Sequence, residues 1–431
     1  IVASALDNVV VTPTAISDQP NTSTGGLSLP AGTTAQRPSS PDTGESRYNS
    51  SNGSLEFYDG SSWISTNLIP TLDSVSGNIY VSIATSLTLT VSNATDTIAV
   101  VFKEGSTTIA TVTGQSVSSG SATVAVPSAV YGQTVGDTIT ISIQNTDGTP
   151  SSNSQTKTVV GLPTGGTITT YGNYRVHSFT SSGTFTVPSG VSASTNYLIV
   201  AGGGGAGTRH SGGGGAGGLR TGTQSISAQT YTVQVGGGGA GGASGTSNDG
   251  VNGTNSYISP DFGSAAVGGG NGSGVSNVPA GNGGSGGGGR GSGAQAGGSG
   301  TSGQGNSGGA GHSGNGGGGG GGAGAAGAAG QTGAGGAGGV GSQNNYRTGS
   351  NVYYAGGGGG AGDHTASGGA GGNGGGGAGK TTTSDNSVAG TANSGGGGGS
   401  GGHNDPSSVE GYAGKSGGSG IVVIRYDTTT L

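Results

Sequence analysis

The chain has 431 residues, 28% of them hydrophobic and 7% charged, with 12 Lys plus Arg against 18 Asp plus Glu for a net charge of −6. That mildly acidic balance offers no basic surface for nucleic acid, and no stretch approaches the ~20 apolar residues that span a bilayer. The absence of cysteine removes disulfides, zinc-thiolate sites and thiol catalysis together. Methionine is also missing, position 1 included, so the numbering is expected to begin inside a longer gene product or after processing; no signal or transit peptide is visible.

Residues 1–70 are rich in Pro, Thr, Ser and Gly and predict short strands at Ser54–Tyr58 and Trp63–Ser65. Residues 71–160 carry apolar sets at alternate positions: Ile79, Val81 and Ile83; Leu87, Leu89 and Val91; Ile98, Val100 and Phe102; Ala122, Val124 and Val126; Ile139, Ile141 and Ile143. A period of two puts each set on one face of a strand. Recurring turn signals such as Ser92-Asn93 and Gly136-Asp137 then predict a β-sandwich of immunoglobulin type. The Cys…Trp…Cys signature of antibody domains is missing. No helical periodicity is present anywhere.

Residues 161–431 form a glycine-rich region: 13 of the 109 glycines precede it and 96 lie within it. Arg175–Val187 alternates around Ser181-Ser182-Gly183 and predicts a hairpin. Tyr197–Val200, Tyr231–Val235 and Ile421–Ile424 are apolar runs that suit buried central strands. The expectation is a small β-structure from which glycine runs such as Gly202–Gly205, Gly316–Gly322 and Gly395–Gly399 loop out and return. Glycine has no side chain to bury and loses the most backbone entropy on ordering, so an ordered region of this kind depends on backbone hydrogen bonds. The runs have no Gly-X-Y period and the chain holds only 13 prolines, which excludes collagen. A flexible linker is one remaining reading. The other is a bundle of extended threefold polyglycine helices, whose N–H and C=O groups point outward to neighbours that only glycine admits so closely. The expected fold class is therefore all-β plus a glycine-rich, non-α domain with packed polyglycine helices.

Several pattern matches are cheap in such a sequence. Gly374–Thr381 satisfies the phosphate-loop spacing, but small polar residues stand on both sides of it in place of a strand and a helix. The G-x-S-x-G matches at Ser285 and Ser416 lack a strand–turn–helix context as well. No pair among His177, His210, His312, His364 and His403 has metal-ligand spacing, so they read as surface loop residues. Asn248–Gly253 reads as consecutive turns. No catalytic, cofactor or metal site is expected. Candidate recognition residues are those that interrupt the glycine: Tyr346, Arg347, Tyr353, Tyr354, His364, His403 and Tyr412, with Tyr257 and Phe262 in another insert. An aromatic exposed at a loop tip stacks on a sugar or supplies binding area at small entropic cost. The alternative is that these rings cap the glycine bundle and shield its ends.

Two stretches carry a resemblance. Gly26–Pro38, Thr43–Asn49 and Leu55–Trp63 resemble a module of bacteriophage virion and tail-fibre proteins, a β-hairpin unit with its Arg-x-Asn and Glu-x-Tyr-x-Gly-x-x-Trp elements on adjacent strands. Phe179–Val187, Tyr197–Gly207, Tyr231–Gly242 and Gly420–Tyr426 look like the glycine-rich domain at the ends of phage tail fibres and adhesins. The resemblance implies three domains: a hairpin module over 1–70, a sandwich over 71–160 and a glycine-rich domain over 161–431. It further implies a homotrimeric fibre or spike on the virion surface. Such a fibre would join other virion proteins through its N-terminal region and contact a host glycan or outer-membrane protein at its tip. A head-decoration protein and a bacterial surface adhesin or filament subunit are the alternatives. A depolymerase would need a carboxylate cluster in a repeated β-helix, and the sequence has neither.

Overall fold

The computed structural model describes residues 29–51, 54–66, 69–245, 248–274, 278–363, 366–380, 385–403 and 411–431. The expectations placed on 1–28 and on His364 lie outside them. Strands β1 (Ala31–Gly32), β2 (Ser46–Asn49), β3 (Ser54–Tyr58) and β4 (Trp63–Ser65) form a four-stranded sheet in sequence order. The last two have the bounds read from the sequence. Arg47 on β2 stands opposite Glu56 on β3. The Glu56 side chain is fully buried; it accepts from Arg37 Nη2 at 2.6 Å and Asn49 Nδ2 at 2.9 Å and forms an ion pair with Arg47, whose Nε is 3.3 Å away. The Arg-x-Asn and Glu-x-Tyr elements are thus two sides of one ion-paired network. The hydrogen bonds from Arg37 hold the Glu56 carboxyl below the usual carboxylate range, against the effect of burial.

The next strands are β5 (Thr71–Ser76), β6 (Ile79–Tyr80), β7 (Ser86–Ser92), β8 (Thr97–Glu104), β9 (Thr107–Ser116), β10 (Ser121–Ala125), β11 (Thr138–Asn145) and β12 (Gln155–Val160). They make a sheet in the order β10-β7-β5 and another in the order β6-β12-β11-β8-β9. The alternating sets that begin at Leu87, Ile98, Ala122 and Ile139 all enter one core shared by both sheets. The set at 79, 81 and 83 does not continue as a strand, because β6 ends at Tyr80 and Ser82 turns to a φ of 59°. One helical turn, α1 (Ser128–Tyr131), leads from β10 towards β11. The sequence predicted no helix, and four residues are too few to show a period.

The remaining strands are β13 (Thr167–Tyr171), β14 (Tyr174–Phe179), β15 (Gly183–Val187), β16 (Ala193–Val200), β17 (Leu219–Ile226), β18 (Gln229–Gln234), β19 (Tyr257–Ser259), β20 (Ser342–Asn344), β21 (Val352–Tyr354) and β22 (Ile421–Asp427). A five-stranded sheet, β13-β14-β22-β16-β17, shares a core with a three-stranded one, β15-β18-β19. The apolar run Ile421–Ile424 does lie at the centre of its sheet. The predicted hairpin over Arg175–Val187 does not form: β14 pairs with β13 and β22, and β15 pairs with β18. The turn at 180–182 carries the chain from one sheet to the other, and Phe179 and Phe185 meet in the shared core. Tyr80 of the sandwich joins that same core, and its hydroxyl donates to Gly190 O at 3.2 Å. Two residues read as exposed are buried here. Phe262 packs edge-on against Tyr197 and Tyr231, at 5.4 and 5.5 Å between ring centroids. His177 lies under Phe185 at 4.9 Å, with Nδ1 2.8 Å from Gly165 O.

Val200 pairs with both Leu219 and Ile421, so long glycine excursions close on one residue. Within them the chain runs back and forth in extended passes. Gly203, Gly204 and Gly205 donate to Gly418, Gly215 and Val251, on three different passes, and Ala206 returns to the first of these at Lys415. That recurrence every third residue is the signature of a threefold extended helix without internal hydrogen bonds. The pass Gly316–Gly322 shows the full arrangement. Gly318 donates to Gly289 and accepts from Gly213; Gly319 donates to Ala328 and accepts from Gly309; Gly320 donates to Gly358 and accepts from Gly339. Six neighbours surround one helix, and a Cβ on Gly318 or Gly320 would overlap the carbonyl oxygen of Gly309 or Gly214. Asn248–Thr254 belongs to this lattice rather than forming consecutive turns: Asn248, Val251 and Thr254 accept from Thr208, Gly205 and Gly202.

Candidate functional site

The passes that begin at Ala201 and Gly236 leave the sheets at Val200 and Val235 and reverse at the far end, so the bundle has a proximal end at the sheets and a distal end. From Ala201 to Thr208 the chain covers about 20 Å at ~3.1 Å per residue. The distal reversals bring together side chains remote in sequence. Arg209 and His210 occupy the first reversal with φ of 51° and 45°, a conformation that non-glycine residues adopt at some cost. The His210 ring lies 5.0 Å from that of His403, and Asp363 Oδ1 is 4.0 Å from His210 Nδ1. Lys380 is buried, donates through Nζ to His403 O and lies 4.7 Å over the Tyr412 ring. Ser211 and Ser400 share a hydrogen bond beneath them. Arg290 Nη1 donates to Gly274 O at 2.7 Å.

Burial dominates the electrostatics of this end. It pushes the His210 imidazole down to about 4, against the pull of Asp363 and with the help of His403, Arg209 and Arg290. It also lowers the Lys380 ammonium, while Asp385 and Asp363 act in the opposite sense. Asp385 in turn takes Lys415 Nζ at 2.8 Å. The result is an end where Arg209, Arg290, Lys380 and Lys415 lie among carbonyls, rings and the carboxylates of Asp249, Asp363 and Asp385. Among the described residues no three His, Cys, Asp or Glu side chains are grouped so as to hold a metal ion.

The six sequence candidates among the described residues divide between the two ends. His403 and Tyr412 are distal, with His403 buried rather than exposed. Tyr346, Arg347, Tyr353 and Tyr354 belong to the β20–β21 hairpin, which is proximal. There Tyr354 is buried with Val176, Leu198 and Val423 on the outer face of the five-stranded sheet, which rules out a place at the tip. Arg425 lies between the rings of Tyr174 and Tyr346, at 4.4 and 4.1 Å. Tyr171 Oη donates to Tyr346 O at 3.1 Å. Arg347 and Tyr353 remain exposed. At this end Tyr346 and Tyr354 cover the outer face of the five-stranded sheet.

A family model described as a glycine-rich domain matches residues 179–427, which takes in the bundle and most of the sheets that root it. The chain belongs to this glycine-rich domain family. No curated protein and no solved structure matches it. Within the glycine-rich domain, the distal residues that sequence reasoning missed are Arg209, His210, Arg290, Asp363 and Lys380. One signal does mark them: each stands at or just after the end of a glycine run, where the chain must reverse. Lys380, the lysine of the phosphate-loop match, is an example. Its preceding glycines form a lattice pass, and its ammonium is taken by His403 O and the Tyr412 ring.

Proposed function

We propose that the chain is a structural virion protein, a tail fibre or spike that presents the distal end of its glycine-rich domain to the host surface. The observation that carries this reading is the division of labour in the bundle. Backbone hydrogen bonds hold the shaft, while Arg209, His210, Arg290, Lys380, His403 and Tyr412 gather where the passes reverse distally. The half-buried Tyr412, Arg209 and Lys415 at such an end suit the sugars and acidic groups of an envelope glycan. The remaining parts fit the same role. The two sheets over 71–160 have the strand order of an immunoglobulin-like sandwich, with β5, β7 and β10 facing β12, β11 and β8. We read it as a spacer, and the N-terminal sheet as the part nearest the particle. The protein would act by binding, without catalysis.

The test uses the full chain with Arg209→Ala and Tyr412→Ala introduced together, and follows its attachment to a panel of bacterial envelopes. Attachment by the unaltered protein that falls at least tenfold in the variant supports a distal recognition end. No attachment to any envelope, with the chain placed on the head in intact particles, would instead support decoration.

A further inference from the structure

The N-terminal sheet is built inside out. Its well-packed face is polar: Arg47, Asn49, Ser54 and Glu56 are the buried side chains of β2 and β3. Its other face carries Tyr48 opposite Leu55 and Phe57 opposite Ile64. These four are 41%, 46%, 41% and 40% exposed. Among the described residues of 29–66 no hydrophobic side chain is buried at all. Large apolar side chains exposed elsewhere, such as Val135, Val251 and Val388, belong to separate parts of the chain.

A unit of fewer than about 40 residues rarely folds without disulfides, a metal or association, and the chain has no cysteine. A small sheet gains its stability from a covered hydrophobic face, and here that face is open. The ion-paired network on the other side does not replace it, since such pairs roughly balance their own desolvation. The missing core must therefore come from outside the sheet.

We propose that the Tyr48–Leu55–Phe57–Ile64 face is a self-association surface, covered by the same face of other copies of this chain. Charge decides the occupant. No charged side chain of β2, β3 or β4 points to this side, because Arg47 and Glu56 are both on the opposite face. A neutral apolar face is matched by another neutral apolar face, and this one is matched by itself. Packing copies face to face turns four half-exposed side chains per copy into a common core. It also leaves each polar network on the outside. The inference does not depend on whether the chain is a virion fibre.

The experiment measures the mass of the full-length chain in solution by light scattering at micromolar concentration, beside Leu55→Lys/Phe57→Lys and Ile64→Lys variants. Trp63, the only tryptophan, stacks near Arg47 on the polar face and reports by fluorescence whether the sheet persists. The unaltered chain is expected to form multimers, and the variants to associate at least tenfold more weakly. As a test independent of variant folding, Leu55→Cys in this cysteine-free chain should give disulfide-linked pairs on mild oxidation. Ser106→Cys, on an exposed turn of the sandwich, should not. An unaltered chain that stays single overturns the proposal, including the case where residues 1–28 cover the face. Equal association by the lysine variants, or equal cross-linking at both cysteine positions, overturns it too.

Discussion

At the scale of single residues, glycine is required in this domain for contact distance more than for backbone freedom. Gly318 sits where a Cβ would overlap Gly309 O, whereas a Cβ on Gly237 would meet nothing closer than Thr254 Oγ1 at 3.9 Å. Overpacking against side chains costs roughly 1–3 kcal/mol, and a backbone carbonyl held in a lattice yields less. Gly318→Ala should therefore cost about 3 kcal/mol in a denaturant titration of the full chain. Gly237→Ala should change stability by less than about 0.5 kcal/mol. Similar losses from both would mean that backbone entropy, not close approach, is what glycine supplies. The dense runs made this lattice legible in the sequence. They did not reveal which interrupting side chains end up covered. Tyr354 and His403 look alike as polar breaks in glycine, yet one is buried on the outer face of a sheet and the other among distal cations. Those fates depend on neighbours far away in sequence, such as Val423 and His210.

At the scale of elements, what could be read was whatever had a period. The sandwich set at 79, 81 and 83 fails as a strand, whereas those that begin at Leu87, Ile98, Ala122 and Ile139 were placed correctly. So were β3 and β4. The segment Arg175–Val187 shows the limit: alternation gives the inward face of a strand but not its partner, and two strands facing one core from opposite sheets alternate just as a hairpin does. The bundle passes have no sequence period because the lattice recurs in hydrogen-bond direction, not in side-chain type. The strand β22 links these observations. It lies between β14 and β16 and is contributed by residues beyond the last glycine run. Val423 on it is fully buried against Val176 and Leu198. Val423→Asp places an unpaired carboxylate there, at a cost on the order of 4 kcal/mol or more. Hydrogen exchange should then show loss of protection in Gly202–Gly205 and Gly212–Gly215, passes that the substitution does not touch. Protection in Thr97–Glu104 should persist. Retained protection in the passes would show that the lattice stands without its root.

At the scale of the whole molecule, two buried imidazoles tie stability to pH. Burial pushes His177 down to about 4, with Gly165 O opposing and Arg175 assisting, and it pushes His210 down to about 4 as well. The first lies in the core of the sheets and the second at the distal end, so their effects should add. Both folded values are below the unfolded value of 6.5. Between pH 6.5 and about 4 the unfolded chain therefore binds more protons than the folded one. Stability is complete above pH 6.5 and declines as the pH falls through that window, by roughly 1.4 kcal/mol per pH unit for each imidazole. Thermal unfolding at a series of pH values should accordingly show a midpoint that is level above pH 6.5 and drops towards pH 4. In a His177→Gln/His210→Gln chain the midpoint should start lower and decline less steeply over the same range. Parallel declines in the two proteins would place the acid sensitivity in the carboxylates, with Glu56 and its arginine pair the first to examine. A level midpoint in the unaltered chain would mean that neither imidazole stays neutral and buried down to pH 4.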